Sequence, residues 1–123
     1  MAKFALWGAG LMMLVVGALH LLAPQMMMNP ANISLTSINH FHVVRAAYGG
    51  AYLGIATLFL LGAVRPTYGH ASLVAIAVLF CGFASGRLYS ITADGVPAPL
   101  YLAVLFFEIL FASLATLALR SKA

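Results

Sequence analysis

Arg45, Arg87 and Glu108 each stand inside an otherwise apolar stretch of this chain. A guanidinium suits two-pronged contact with a carboxylate or phosphate. A carboxylate among apolar neighbours is a candidate for proton transfer. Further polar groups recur at helical spacing around them. His42, Arg45, Gly49 and Tyr52 follow i, i+3, i+7, i+10 and share one helix face. Arg87, Ser90 and Asp94 share a second face, and Tyr101 and Glu108 a third. Together with His20 and Tyr48, these residues supply guanidinium, imidazole, hydroxyl and carboxylate groups toward one polar region.

The elements that position them follow from composition. Of 123 residues, 64% are hydrophobic and 7% charged, against about 45–50% and about 25% in soluble domains. With a mean hydropathy of +1.07, the chain cannot present a water-compatible surface, and disorder is excluded for the same reason. The net charge of +4 does not imply a nucleic-acid partner, because the six Lys and Arg residues form no basic patch. The single Cys81 excludes an intramolecular disulfide.

Charge-free intervals separate Lys3, Arg45, Arg65 and Arg87. A bilayer core about 30 Å thick needs roughly 20 helical residues. The expectation is therefore an all-α membrane protein, one domain over residues 1–123, built as an antiparallel bundle of four transmembrane helices. The spans are Phe4–Ala23, His40–Gly62, Ala71–Ile91 and Ala98–Leu119, with turns at Pro24–Asn39, Arg65-Pro66 and Asp94–Pro97. His70 is placed in the turn before the third span. The first span is longer than the 7–15 apolar residues of a signal peptide, and no A-x-A-like site precedes Pro24, so it reads as a retained helix. Lys3, Arg65, Arg120 and Lys122 fall on one side of such a bundle, which places both termini in the cytoplasm.

Helices in lipid associate through small residues and polar links. Gly10, Met13, Gly17 and His20, the pairs Gly50/Gly54 and Gly82/Gly86, and Ala112 with Ala115 are the expected contact positions, toward neighbouring helices or a second copy. Counting rise per residue puts Arg45 roughly 7–8 Å, Arg87 roughly 10 Å and Glu108 roughly 15 Å from the outer ends of their helices. The buried charges thus share the outer half. One reading is an outward-opening polar pocket with Glu108 at its floor and the arginines on its walls. The other is structural: Glu108 neutralises Arg45 or Arg87 and fixes register, or the arginines extend to lipid headgroups.

On the pocket reading the protein binds a lipophilic molecule with a polar head, such as a quinone or lipid, or serves as an accessory subunit or homo-oligomer in a larger membrane complex. The alternative is a small membrane enzyme, an acid–base isomerase or hydrolase, with Glu108 transferring a proton and Arg45 and Arg87 stabilising negative charge. His20 and His42 at similar depth would suit bis-histidine haem ligation. His40 and His42, two residues apart, point to nearly opposite sides of a helix and do not share a metal. No CxxCH, HExxH or Cys/His cluster is present. Asn32-Ile33-Ser34 matches a glycosylation sequon close to the membrane, and Met26-Met27-Met28 offers a soft interfacial surface.

The strings Arg45-Ala-Ala-Tyr48-Gly49-Gly50, Gly86-Arg87-Leu-Tyr-Ser90 and Asp94-Gly95-Val-Pro97, followed by Glu108, resemble a family of small bacterial four-helix membrane proteins known as a domain of unknown function. Its layout is similar to that of DoxX-type proteins, and the resemblance covers nearly the whole chain. It implies a bacterial inner-membrane location and carries no established activity or cofactor. Where that family leads one to expect an acidic residue shortly before the arginine, this chain has His40 and His42, which leaves Arg45 without a local ion pair.

Overall fold

The computed structural model describes residues 1–121, so Lys122, used above to orient the chain, lies outside the described residues. Among the described residues there are helices and no strands. Four helices are long and apolar enough to cross a membrane: α1 (Ala2–Leu22), α3 (Ile38–Val64), α4 (Pro66–Asp94) and α5 (Pro99–Arg120). A short α2 (Pro24–Met28) lies between the first two.

Proline and glycine set most boundaries. Pro24 lacks an N–H and pushes Ala23 out of helical geometry, to φ −132° and ψ 59°, which ends α1. The linker then turns through a 3₁₀ segment, Asn29–Ala31, to Asn32 at φ 56°. Gln25 ties the linker together: its Oε1 accepts the Leu35 N–H at 2.8 Å, and its Nε2 donates to Asn29 Oδ1 and the Ile33 carbonyl. Ser37 caps α3 by accepting the His40 N–H at 3.2 Å.

Pro66 and Pro99 open α4 and α5, where a missing N–H costs nothing. Gly95, at φ 106°, ends α4 in a conformation that side chains disfavour. The spans are thus where the charge gaps put them, with one extension. Helix α4 begins at Pro66, because proline there starts a helix and does not merely break the previous one. His70 is therefore helical and exposed, not a turn residue.

Helix α3 contains a π-helical turn, Arg45–Gly50, in which the Ala51 N–H reaches back to the Ala46 carbonyl. The buried face of α3 consequently steps five residues from Val44 to Gly49, then continues regularly through Ala56, Phe59 and Gly62. A regular helix steps three or four. This corrects the expected face: Arg45, Gly49 and Tyr52 meet α1, while His42 is exposed.

The helices pack in the cyclic order α1, α3, α4, α5, with α5 closing against α1. Phe59, Leu73, Ile76 and Phe80 are fully buried, flanked by Ala5, Ala9, Met13, Phe111 and Ala115. The closest approach is α1 on α3. A Cβ at Gly17 would lie 3.0 Å from the Leu53 nitrogen and 3.2 Å from the Gly49 oxygen. Gly54, Gly82 and Gly86 face open space, and Gly50 meets only its own helix. The two GxxxG pairs are therefore not contact positions within this chain; Gly8, Gly10, Gly17, Gly49 and Gly62 are.

Candidate functional site

Glu108 is 3% exposed and lies on the inner face of α5, one turn from Phe111. Arg87 on α4 meets it with Nε alone, 2.9 Å from Oε1 and 2.8 Å from Oε2. The pair answers which arginine Glu108 neutralises. It also leaves the two terminal nitrogens of Arg87 without a hydrogen-bond partner among the described residues, on a side chain 36% exposed.

Arg87 also lines a cavity of about 90 Å³ between α4 and α5, together with Ser90, Ile91, Pro97, Tyr101 and Leu105. Such a volume holds about three water molecules, or a polar group of comparable size. Ser90, which lines the cavity, donates to Asp94 Oδ2 at 2.9 Å. Glu108 does not line the cavity. Its role in the geometry is to anchor the guanidinium through Nε, leaving the terminal nitrogens for other acceptors.

A second cluster joins α1 to α3. The rings of His20, Tyr48 and Tyr52 lie 5.6–5.9 Å apart, and Tyr52 continues to Phe83 at 6.2 Å. His20 is 8% exposed. Its Nδ1 lies 2.7 Å from the Val16 carbonyl, a contact in which Nδ1 carries the N–H. Phe83 stands one turn before Arg87 on α4, so the aromatic cluster reaches the helix that carries the ion pair. His42 does not join them. It is exposed and stands six residues before Tyr48 along α3. Among the described residues no three His, Cys, Asp or Glu side chains gather as a metal site.

Arg45 is elsewhere engaged. Its Nε donates to the Leu21 carbonyl at 3.0 Å, and its guanidinium carbon lies 5.6 Å from the centre of the Phe41 ring. A cation on one of the last carbonyls of α1 complements the negative end of that helix. Of the residues expected to form one pocket, the fold therefore brings together Arg87, Glu108, Ser90, Asp94 and Tyr101. It places His20, Tyr48 and Tyr52 as an adjoining aromatic wall, and sets His42 and Arg45 apart. Ile91, Pro97, Leu102 and Leu105, which line the cavity, are not among the expected residues. Leu105 continues the Tyr101–Glu108 face, and that spacing is the signal that would have found it.

No curated protein and no solved structure matches the chain. A family model does, over residues 1–119, in agreement with the Arg45–Gly50, Gly86–Ser90 and Glu108 strings: the chain belongs to the family described as Domain of unknown function (DUF4345).

Proposed function

We propose that this protein binds a lipophilic molecule through its polar head, at the Arg87 cavity in the linker half of the bundle. The observation that carries the reading is the one-sided use of the Arg87 guanidinium: its Nε holds Glu108, both terminal nitrogens lack a partner among the described residues, and the residue lines a small cavity. These nitrogens and the Tyr101 hydroxyl offer donors, so the matching head is a hydrogen-bond acceptor: a quinone carbonyl, an ester, a carboxylate or a phosphate. With room for only a few polar atoms, the cavity takes the head. The apolar remainder of the ligand lies along Leu102 and Leu105 into lipid.

Binding is favoured over acid–base catalysis because both Glu108 oxygens accept from Arg87 and neither borders the cavity. Lys3, Arg65 and Arg120 at one end of the bundle support an orientation with both termini cytoplasmic and the cavity opening outward. In a bacterial cell the site then faces the outer leaflet of the inner membrane, within reach of a ligand carried in the bilayer or by a partner complex.

The test is purification in mild detergent, with mass spectrometry of extracted small molecules and an absorption spectrum. The expected result is a stoichiometric lipophilic compound in the parent. Arg87→Lys, which keeps the charge but loses the forked donor edge, is expected to fold and to lose that compound. Equal retention by both proteins overturns the reading. A haem Soret band would assign a different ligand.

A further inference from the structure

A larger hollow lies in the seam between α4 and α5, running from beside the Arg87–Glu108 pair toward Arg120. Its volume is about 490 Å³, and its walls include Cys81, Ser85, Leu88, Ala112 and Ser113, with Arg120 at one end. Both helices line it largely with small side chains. Cys81, Ser85 and Ser113 are exposed, and no side chain from α1 or α3 reaches across them.

Its length and charge specify an occupant. From Ile109 to Arg120 the α5 wall runs eleven residues, about 16 Å at helical rise. One leaflet of a bilayer core is about 15 Å deep. The hollow therefore runs from near the midplane to one membrane surface, as a single acyl chain does. At that surface stand Lys3, Arg65 and Arg120, while the two acidic side chains, Asp94 and Glu108, lie toward the other end or the midplane. Arg120 has no hydrogen bond or ion pair among the described residues beyond its own helix.

We propose that the α4–α5 seam is a binding site for one anionic phospholipid, with an acyl chain along Ser85, Ala112 and Ser113 and the headgroup phosphate on Arg120. The site is separate from the Arg87 cavity and belongs to the opposite leaflet. A transmembrane helix of a second copy is the competing occupant, since small residues also favour helix contact.

Native mass spectrometry of the full chain in mild detergent, with phosphatidylglycerol or phosphatidylcholine of matched chains added, tests this. The parent is expected to retain one phosphatidylglycerol, about fivefold more tightly than phosphatidylcholine, the discrimination one arginine supplies at a membrane surface. Arg120→Gln is expected to bind the two lipids equally. Ser113→Leu, which fills the seam from an exposed position, is expected to lose phosphatidylglycerol, and Ser85→Leu does so from the facing wall. Arg87→Lys leaves this binding unchanged, which separates the proposal from the cavity site. Equal binding of both lipids by the parent, undiminished binding by both leucine variants, or a lipid-free dimer overturns it.

Discussion

The Nε of Arg87 lies within 2.9 Å of both carboxylate oxygens of Glu108, yet the two partners differ sharply in burial, at 36% and 4% side-chain exposure. Removing either one therefore has unequal consequences. Arg87→Ala strands a carboxylate with no other partner in the bundle interior, and the loss is expected to be about 3–5 kcal/mol. Glu108→Ala leaves an arginine that still reaches the cavity, and the loss is expected to be about 1–3 kcal/mol. The double variant Arg87→Met with Glu108→Met recovers most of the difference, because no charge remains buried. Thermal unfolding of the four proteins in one detergent measures the order; a Glu108→Ala loss equal to that of Arg87→Ala contradicts it.

Arg45 closes the carboxyl end of α1 and lies outside the cavity, so its substitution is expected to affect stability without affecting ligand content. Arg45→Ala removes a charged donor from the Leu21 carbonyl and the cation from the Phe41 face. A loss of about 1.5–3 kcal/mol is expected from the hydrogen bond. Hydrogen exchange of amides near Ala18–Leu22 should rise, while co-purifying small molecules stay at the parent level. Lost ligand with unchanged stability would move Arg45 back to the binding site.

Much of this architecture was legible in the residues themselves. The gaps between charged residues marked four spans, and the isolated Glu108 marked the deepest polar position. Three things were not legible, each for a physical reason. The partner of Arg45 is a backbone carbonyl, and a carbonyl at Leu21 carries no side-chain signal. The π turn at Arg45–Gly50 changes the phase of α3 by one residue, and a periodicity count that assumes regular rise cannot register it. The glycine pairs at Gly50/Gly54 and Gly82/Gly86 have the spacing of a contact motif, but spacing does not say which side of a helix a neighbour occupies.

The glycines divide into two groups with opposite expected outcomes. Gly17→Ala and Gly49→Ala place a Cβ about 3 Å from backbone atoms of the facing helix, near Leu53 and Leu21 respectively, where no flexible side-chain end can move aside. Overpacking of this kind costs about 1–3 kcal/mol. Gly54→Ala and Gly82→Ala meet nothing within 4 Å and gain helix propensity of up to about 1 kcal/mol. Unfolding midpoints measured at the same detergent concentration should fall for the first pair and hold or rise for the second. A fall at Gly54 or Gly82 would mean that a second copy packs on that face.

Ser72 ties α4 to α3 where the two helices come closest on the terminal side of the core. Its hydroxyl donates to the Leu58 carbonyl at 2.7 Å, and its side chain is fully buried against the bare backbone of Gly62. Leu58 already serves its own helix through that oxygen, so losing the serine removes an interhelical link without stranding an acceptor. Ser72→Ala is therefore expected to cost only about 0.6–1.7 kcal/mol, the range of such bonds in lipid. Gly62→Ala acts on the same contact with far greater effect, because its Cβ would fall on both side-chain atoms of Ser72 and force α3 and α4 apart. Combining Gly62→Ala with Ser72→Ala restores little, since the Ser72 Cβ remains. A double variant that recovers parent stability would show that α3 and α4 slide freely at this crossing, and that the serine hydroxyl alone set their spacing.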